Sequence, residues 1–163
     1  CNTTDEDELN EAMEELKIQS KLNKAYTIDE VRDKMINGAA AIGVIYSGEY
    51  LYCQEENEDL EYVIPKEGTN IWYDGWVITK GSENVENAHK WIDFLCSQEA
   101  AYDNFEYINY GTPNIAAQEL IDEDIINNPG VFPDEETIEK CEVYNYLGEE
   151  AEDMYYELWK KVK

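Results

Sequence analysis

One short stretch of the sequence, residues 70–78 (NIWYDGWVI), sets a single acid among aromatic rings. On a strand, alternate side chains share a face, so Trp72, Asp74 and Trp76 would point to one side. A carboxylate between rings on a buried face is costly unless a cation or a hydrogen-bond donor meets it. The structural alternative is that Asp74 caps a turn at Gly75 while the rings belong to the core, and this stretch alone favours that alternative.

The ligand that would satisfy such an acid is an organic ammonium. A charge pair at ~4 Å is worth about 4 kcal/mol at an effective dielectric near 20. Each ring face adds about 0.5–2 kcal/mol through cation–π attraction. The stretch therefore indicates either an amine site or ordinary core packing.

Other reactive residues form no convincing catalytic or metal site. The sole histidine, His89, lies on the polar side of a periodic helix, which predicts a solvated side chain rather than a triad member. The acid runs DEDE and EENED lack the alternating ligands and the glycine of a calcium loop. The four cysteines are widely spaced, with no C-x-x-C pair, which argues against zinc: Cys1, Cys53, Cys96 and Cys141. Cys96 is predicted to be a small core residue, the redox state of the thiols stays open, and we expect no cofactor or metal.

The charge balance excludes some partners. The chain has 163 residues with 38 acids against 12 bases, a net charge of −26. Such a chain repels nucleic acid and anionic lipid and attracts metals, basic partners or organic amines, although the charge could equally serve solubility alone. The longest apolar run, AAAIGVIY, is far shorter than the ~20 residues that span a bilayer, and no signal peptide opens the sequence.

The elements that would position these residues are mostly helices. A first helix is predicted in NTTDEDELNEAMEELKIQ, capped by Thr3, Thr4 or Asp5, and a second runs from Thr27 to a stop at Gly38. Further helices are predicted in SENVENAHKWIDFLCS, QEAAYDNFEYI, NIAAQEL, PDEETIEKCEVY and LGEEAEDMYYELWKKVK.

Buried strands are predicted at 39–46, 60–64 and 70–79. Helices with a few buried strands make the fold class α/β. Three or four strands are too few for an independent doubly wound sheet, so we expect a lobe without some of its neighbours, or a segment of a longer chain.

Five motifs occur in a characteristic order: MINGAAAIGVIYSGEY, VIPKEG, IWYDGWVI, INYGTPNIAAQEL and FPDEETIEKCEVY. In this order and spacing the chain resembles the spermidine/putrescine-binding proteins of bacterial ABC transporters. The pair IWYDGWVI and YGTPN is fairly specific, whereas PKEG alone is weak.

The resemblance implies the C-terminal half of a two-lobed type II periplasmic-binding-protein fold, with the N-terminal half absent. Residues 1–71 would form a second-lobe segment, 72–113 would cross into the first lobe, and 114–163 would return and supply the C-terminal helices. Cys1 would then be an internal residue rather than a lipid anchor.

The resemblance also assigns ligand contacts. Asp74 matches the acid that holds an amine, Trp72 the ring against the methylene chain, and Tyr110 a cleft tyrosine. Trp76 is expected to pack in the core behind Trp72 and Asp74. Tyr46 stands where a family member carries tryptophan, and Tyr144 where a glutamine can occur, a difference that would alter which polyamine fits.

The expected function is capture of spermidine or putrescine outside the cytoplasm for an ABC importer, at the cell surface or in the periplasm, with no chemistry. Expected partners are the polyamine and the permease subunits, and the full-length protein would be membrane-associated. Hinges are expected near 72–76 and 110–116, and the separate fragment could dimerise through its exposed surfaces. The alternatives are a binding protein for iron, thiamine or a sugar, and a small acidic hydrolase.

Overall fold

The computed structural model describes residues 2–163, and the expectation for Cys1 lies outside the described residues. Nine helices occur in this part of the chain: α1 (Glu6–Ser20), α2 (Glu30–Ile36), α3 (Ser47–Glu56), α4 (Val85–Leu95), α5 (Gln98–Ile108), α6 (Ile115–Gln118), α7 (Glu123–Ile126), α8 (Glu135–Glu139) and α9 (Glu149–Val162). Helices therefore dominate the fold, as the sequence predicts.

The first and last helices pack together. Asp5 caps α1, since its carboxylate accepts from the backbone N–H groups of Asp7 and Glu8 at 2.9 and 3.1 Å. Helix α1 packs against α9. The most buried side chains of the two helices are apolar: Leu9, Met13, Ala151 and Val162. The predicted cap at Asp5 and the helix predicted in LGEEAEDMYYELWKKVK are both confirmed.

A second core surrounds α5. Phe105, Ile121 and Val131 form its buried cluster. The side chain of Asn114 caps α6 by accepting from the N–H of Ala117 at 3.1 Å, and it donates to the carbonyl of Cys96 at 2.8 Å. One amide thus ties the loop after α5 to the end of α4.

The three predicted strands do not form within residues 2–163. Segments 39–46, 60–64 and 70–79 lack strand pairing, apart from one isolated parallel bridge between Asn70 and Glu142. A strand needs a neighbour along its length for its backbone hydrogen bonds, and no described segment supplies one beyond this single bridge. Ile42 and Val44 accordingly remain 91% and 94% exposed. The described residues taken alone are therefore mostly helical, and the strands are the part of the α/β prediction that they do not show.

Two buried positions were also predicted wrongly, because each depended on packing that these residues do not provide. Trp76, expected in the core, is 68% exposed, and Cys96 is exposed at the end of α4. Helix α4 has no buried residue, although its sequence has a strongly apolar side. The prediction of a solvated His89 is confirmed.

Across residues 2–163, no helix has both the length and the apolar character needed to cross a bilayer.

Candidate functional site

Three aromatic side chains from separate parts of the chain meet in what we call the three-ring cluster: Tyr46, Trp72 and Tyr110. The ring centroids of Tyr46 and Trp72 lie 5.4 Å apart at an interplanar angle of 72°, and those of Trp72 and Tyr110 lie 5.9 Å apart at 67°. Such edge-to-face pairs are worth about 0.5–1.5 kcal/mol each beyond the area that they bury. The structure thus brings together three of the five residues predicted for the site.

Helix α3 is the main support of this cluster. Tyr46 is the residue immediately before α3. Deeper in the helix, Tyr50 is buried and stacks on Tyr62 with centroids 5.1 Å apart. This contact holds the first turn of α3 in place, and Tyr46 with it.

Tyr110 rests on the same first turn. Helix α5 ends at Ile108, and the next residue, Asn109, adopts a left-handed conformation with φ of 60° and redirects the chain toward α3. The Tyr110 ring then packs against Gly48, so closely that a β-carbon at position 48 would collide with ring atoms. A glycine is required here because the ring occupies the space of a side chain.

Asp74 lies two residues beyond Trp72 and is solvent-exposed. Burial raises the pKa of the Tyr110 hydroxyl, and the negative charges of Glu49 and Asp74 raise that pKa further, as do Tyr46 and Tyr62. The Tyr110 hydroxyl therefore stays protonated, with two carboxylates near enough to act on it electrostatically.

Tyr144 is not joined by a ring contact to the three-ring cluster within the described residues, and its side chain is exposed. The parallel bridge between Asn70 and Glu142 lies shortly before Tyr144 in the chain. No further pairing continues from this bridge within the described residues, so the contribution of Tyr144 to the site stays a prediction.

Sequence reasoning missed two charged residues beside the cluster. Nη1 of Arg32, on α2, lies 3.2 Å from Oε2 of Glu49, and the Arg32 guanidinium stands over the ring of Tyr52 at 5.0 Å from its centroid. Glu49 follows Tyr46 by three residues at the start of α3, a spacing that places both on one side of the helix. This three-residue spacing is the feature of the sequence that could have identified Glu49 as a neighbour of the site.

Organic-cation binding is the chemistry that this arrangement supports. Ring faces attract a cation and carboxylates neutralise it, whereas His89, the sole histidine of the chain, is exposed on α4. Among residues 2–163, no group of three or more histidine, cysteine, aspartate or glutamate side chains is arranged to hold a metal ion.

Comparison with known proteins identifies a family and individual relatives that this chain resembles. A family described as bacterial extracellular solute-binding protein matches residues 4–133. The chain is 35% identical over 162 residues to the spermidine/putrescine-binding periplasmic protein of Salmonella typhimurium, and 33% identical to that of Escherichia coli. Each alignment covers 99% of this chain and 46% of the relative, so the chain spans about half the length of the curated relatives it matches.

A solved structure shows the same fold. The spermidine/putrescine ABC transporter substrate-binding protein of Streptococcus pneumoniae superposes with a TM-score of 0.89 at 36% identity, over 99% of this chain and 50% of that one. These matches confirm the resemblance found in the sequence motifs. The chain belongs to the bacterial extracellular solute-binding protein family.

Proposed function

We propose that the chain contributes to a polyamine site in the substrate-binding component of an ABC importer, and that the ligand is spermidine or putrescine. A polyamine is a flexible rod of methylenes with cationic nitrogens, so its site needs ring walls for the rod and acids or hydroxyls at the nitrogens. The observation that carries the proposal is the three-ring cluster with Asp74 beside it.

In this proposal Asp74 holds an ammonium and Trp72 packs against the methylenes. Tyr46 and Tyr110 complete the walls, and Tyr110 offers a protonated hydroxyl as a hydrogen-bond donor or acceptor. The walls are only partly covered, with Trp72 40% exposed and Tyr46 53% exposed. We propose that the rest of the site comes from a second lobe, which closes over the ligand.

The lobe boundaries belong to the same proposal. Segment 72–113 would pass into the other lobe between 1–71 and 114–163, with hinges near 72–76 and 110–116. The unpaired apolar segments at 39–46 and 70–79 support this arrangement, because a sheet completed by further strands would bury them. Capture would occur outside the cytoplasm, and the closed protein would deliver the polyamine to permease subunits.

Two other functions are less well supported. A binding protein for iron would call for grouped oxygen ligands, and the adjacent tyrosines Tyr155 and Tyr156 differ in surroundings: Tyr155 donates to the carbonyl of Thr3 at 3.0 Å, whereas Tyr156 is exposed. A hydrolase would need a paired acid or a nucleophile with its base. The site offers ring walls and carboxylates for a cation instead, so we propose binding without chemistry.

Calorimetry on the complete gene product tests the proposal, with putrescine, spermidine, spermine and agmatine as ligands. Asp74→Asn should weaken amine binding about 10- to 100-fold, as expected for losing a hydrogen bond to a charged group. Asp153→Asn, on the exposed side of α9, is the matched control and should leave affinity unchanged. Equal binding by the wild type and Asp74→Asn, or no binding by either, would contradict the proposal.

A further inference from the structure

A cavity of about 250 Å³ adjoins the three-ring cluster. Its walls include Arg32, Glu49, Tyr52 and the segment 107–110. Tyr110 belongs to both the three-ring cluster and the cavity, because its ring contacts Trp72 and the residue also lines the cavity. The volume of the cavity is several times the ~30 Å³ that one water molecule occupies. The cavity therefore has room for a short alkylammonium arm.

The cavity contains both a carboxylate and a guanidinium. Arg32 pairs with Glu49 at 3.2 Å, and the two side chains are 38% and 33% exposed. The Arg32 charge also lies over the Tyr52 ring. Both features that would attract an incoming ammonium, the carboxylate and the ring face, are thus already engaged by a cation of the protein itself.

We propose that this cavity is a subsite for the distal ammonium of a longer polyamine, with Glu49 as its counter-ion and Arg32 as a specificity-determining residue that disfavours it. The inference rests on the proposed function and deepens it. A diamine anchored at Asp74 spans the three-ring cluster without entering the cavity. A triamine extends past Tyr110 and meets Arg32, which competes for Glu49 and repels the third positive charge.

This arrangement makes Arg32 a selectivity residue rather than an affinity residue. Removing its charge frees Glu49 and lowers the repulsion of a third ammonium, while a diamine at Asp74 is little affected. Because the pair is partly exposed, the effect is that of a screened charge pair, about three- to fivefold in relative affinity.

The experiment is a double-mutant cycle on the complete gene product, with putrescine and spermidine measured by calorimetry. Arg32→Gln should raise the affinity for spermidine relative to putrescine about three- to fivefold. Arg32→Lys, which keeps the charge, should retain the wild-type ratio. Glu49→Gln should lower spermidine affinity more than putrescine affinity, and the double variant Arg32→Gln, Glu49→Gln should lose the gain of the single variant.

An unchanged ratio in Arg32→Gln, or a gain that persists in the double variant, would overturn the inference. Asp74→Asn, measured in parallel, separates this failure from that of the proposed function. If Asp74→Asn weakens both amines while Arg32→Gln leaves their ratio unaltered, polyamine binding stands and the subsite does not. If the wild type binds neither amine, both are overturned.

Discussion

Helices α1 and α9 and the extended segments 39–46 and 70–79 all carry apolar residues but differ in what covers them. The helix pair buries its apolar side chains, and Leu9 is 4% exposed. The extended segments leave Ile42, Val44 and Val77 in solvent. Two amphipathic helices can cover each other, whereas a strand needs a paired neighbour and a covering layer. The difference separates the part of the fold whose apolar side chains these residues cover from the part whose apolar side chains they leave exposed.

The largest expected loss of stability comes from weakening the packing between α1 and α9. Leu9→Ala should lower the free energy of unfolding of the chain by about 2–5 kcal/mol, because it removes a buried side chain and leaves a cavity. Ile42→Ala, at an exposed position of an extended segment, should change it by less than about 0.5 kcal/mol. Urea unfolding followed by circular dichroism measures both, and equal losses would remove the contrast between the two regions.

The second-largest loss of stability is expected where the extended segment 39–46 meets α3. Gly48→Ala should destabilise the chain by about 1–3 kcal/mol, because the new methyl group would collide with the Tyr110 ring, despite the better helix propensity of alanine. Gly75→Ala is the matched control, since no atom lies within 4 Å of a β-carbon built there. The fluorescence of Trp72 should change in the first variant and not in the second. Unchanged stability and fluorescence in Gly48→Ala would disprove the close packing of Tyr110.

A smaller effect is expected from the loop that follows Tyr110. Asn114→Ala removes the cap of α6 and the bond to the Cys96 carbonyl, at a cost of about 1–2 kcal/mol. Asn127→Ala, in which the exposed amide that follows α7 loses a bond to the carbonyl of Glu123 at the start of α7, should cost less. Thermal unfolding of the two variants compares them, and a greater loss in Asn127→Ala would contradict the linking role of Asn114.

The last prediction concerns self-association of the chain, and it involves the smallest expected change in the free energy of unfolding. The separate chain should self-associate through its exposed extended segments, and Val44→Lys should reduce this association without altering the free energy of unfolding. Added salt should favour association, because it screens the repulsion between chains of net charge −26. Light scattering during size-exclusion chromatography gives the mass, and a salt-independent monomer would contradict the prediction.

Local chemistry explains which predictions from the sequence succeeded. The Asp5 cap, the start of a helix near Asn114 and the stop at Gly38, which has φ of 69°, depend on neighbouring backbone groups and were found at the predicted places. The strands failed because pairing is non-local, and for the same reason Trp76 was predicted in a core that the described residues do not build.

The residues of the candidate site were likewise beyond the reach of local sequence patterns. No periodicity connects Tyr46, Trp72 and Tyr110, which are far apart in the chain, and only the family resemblance grouped them before the structure was known. Glu49 was overlooked because one acid among 38 carries little information without its surroundings. Arg32 and Glu49 became noticeable through the 3.2 Å contact between α2 and α3.

The most direct test of the proposed polyamine site is a crystal structure of the complete gene product grown with putrescine. We expect one ammonium nitrogen within about 4 Å of the Asp74 carboxylate, and methylenes packed against the exposed sides of the rings of Tyr46, Trp72 and Tyr110. Putrescine bound elsewhere, with Asp74 in contact with solvent alone, would contradict the proposed site.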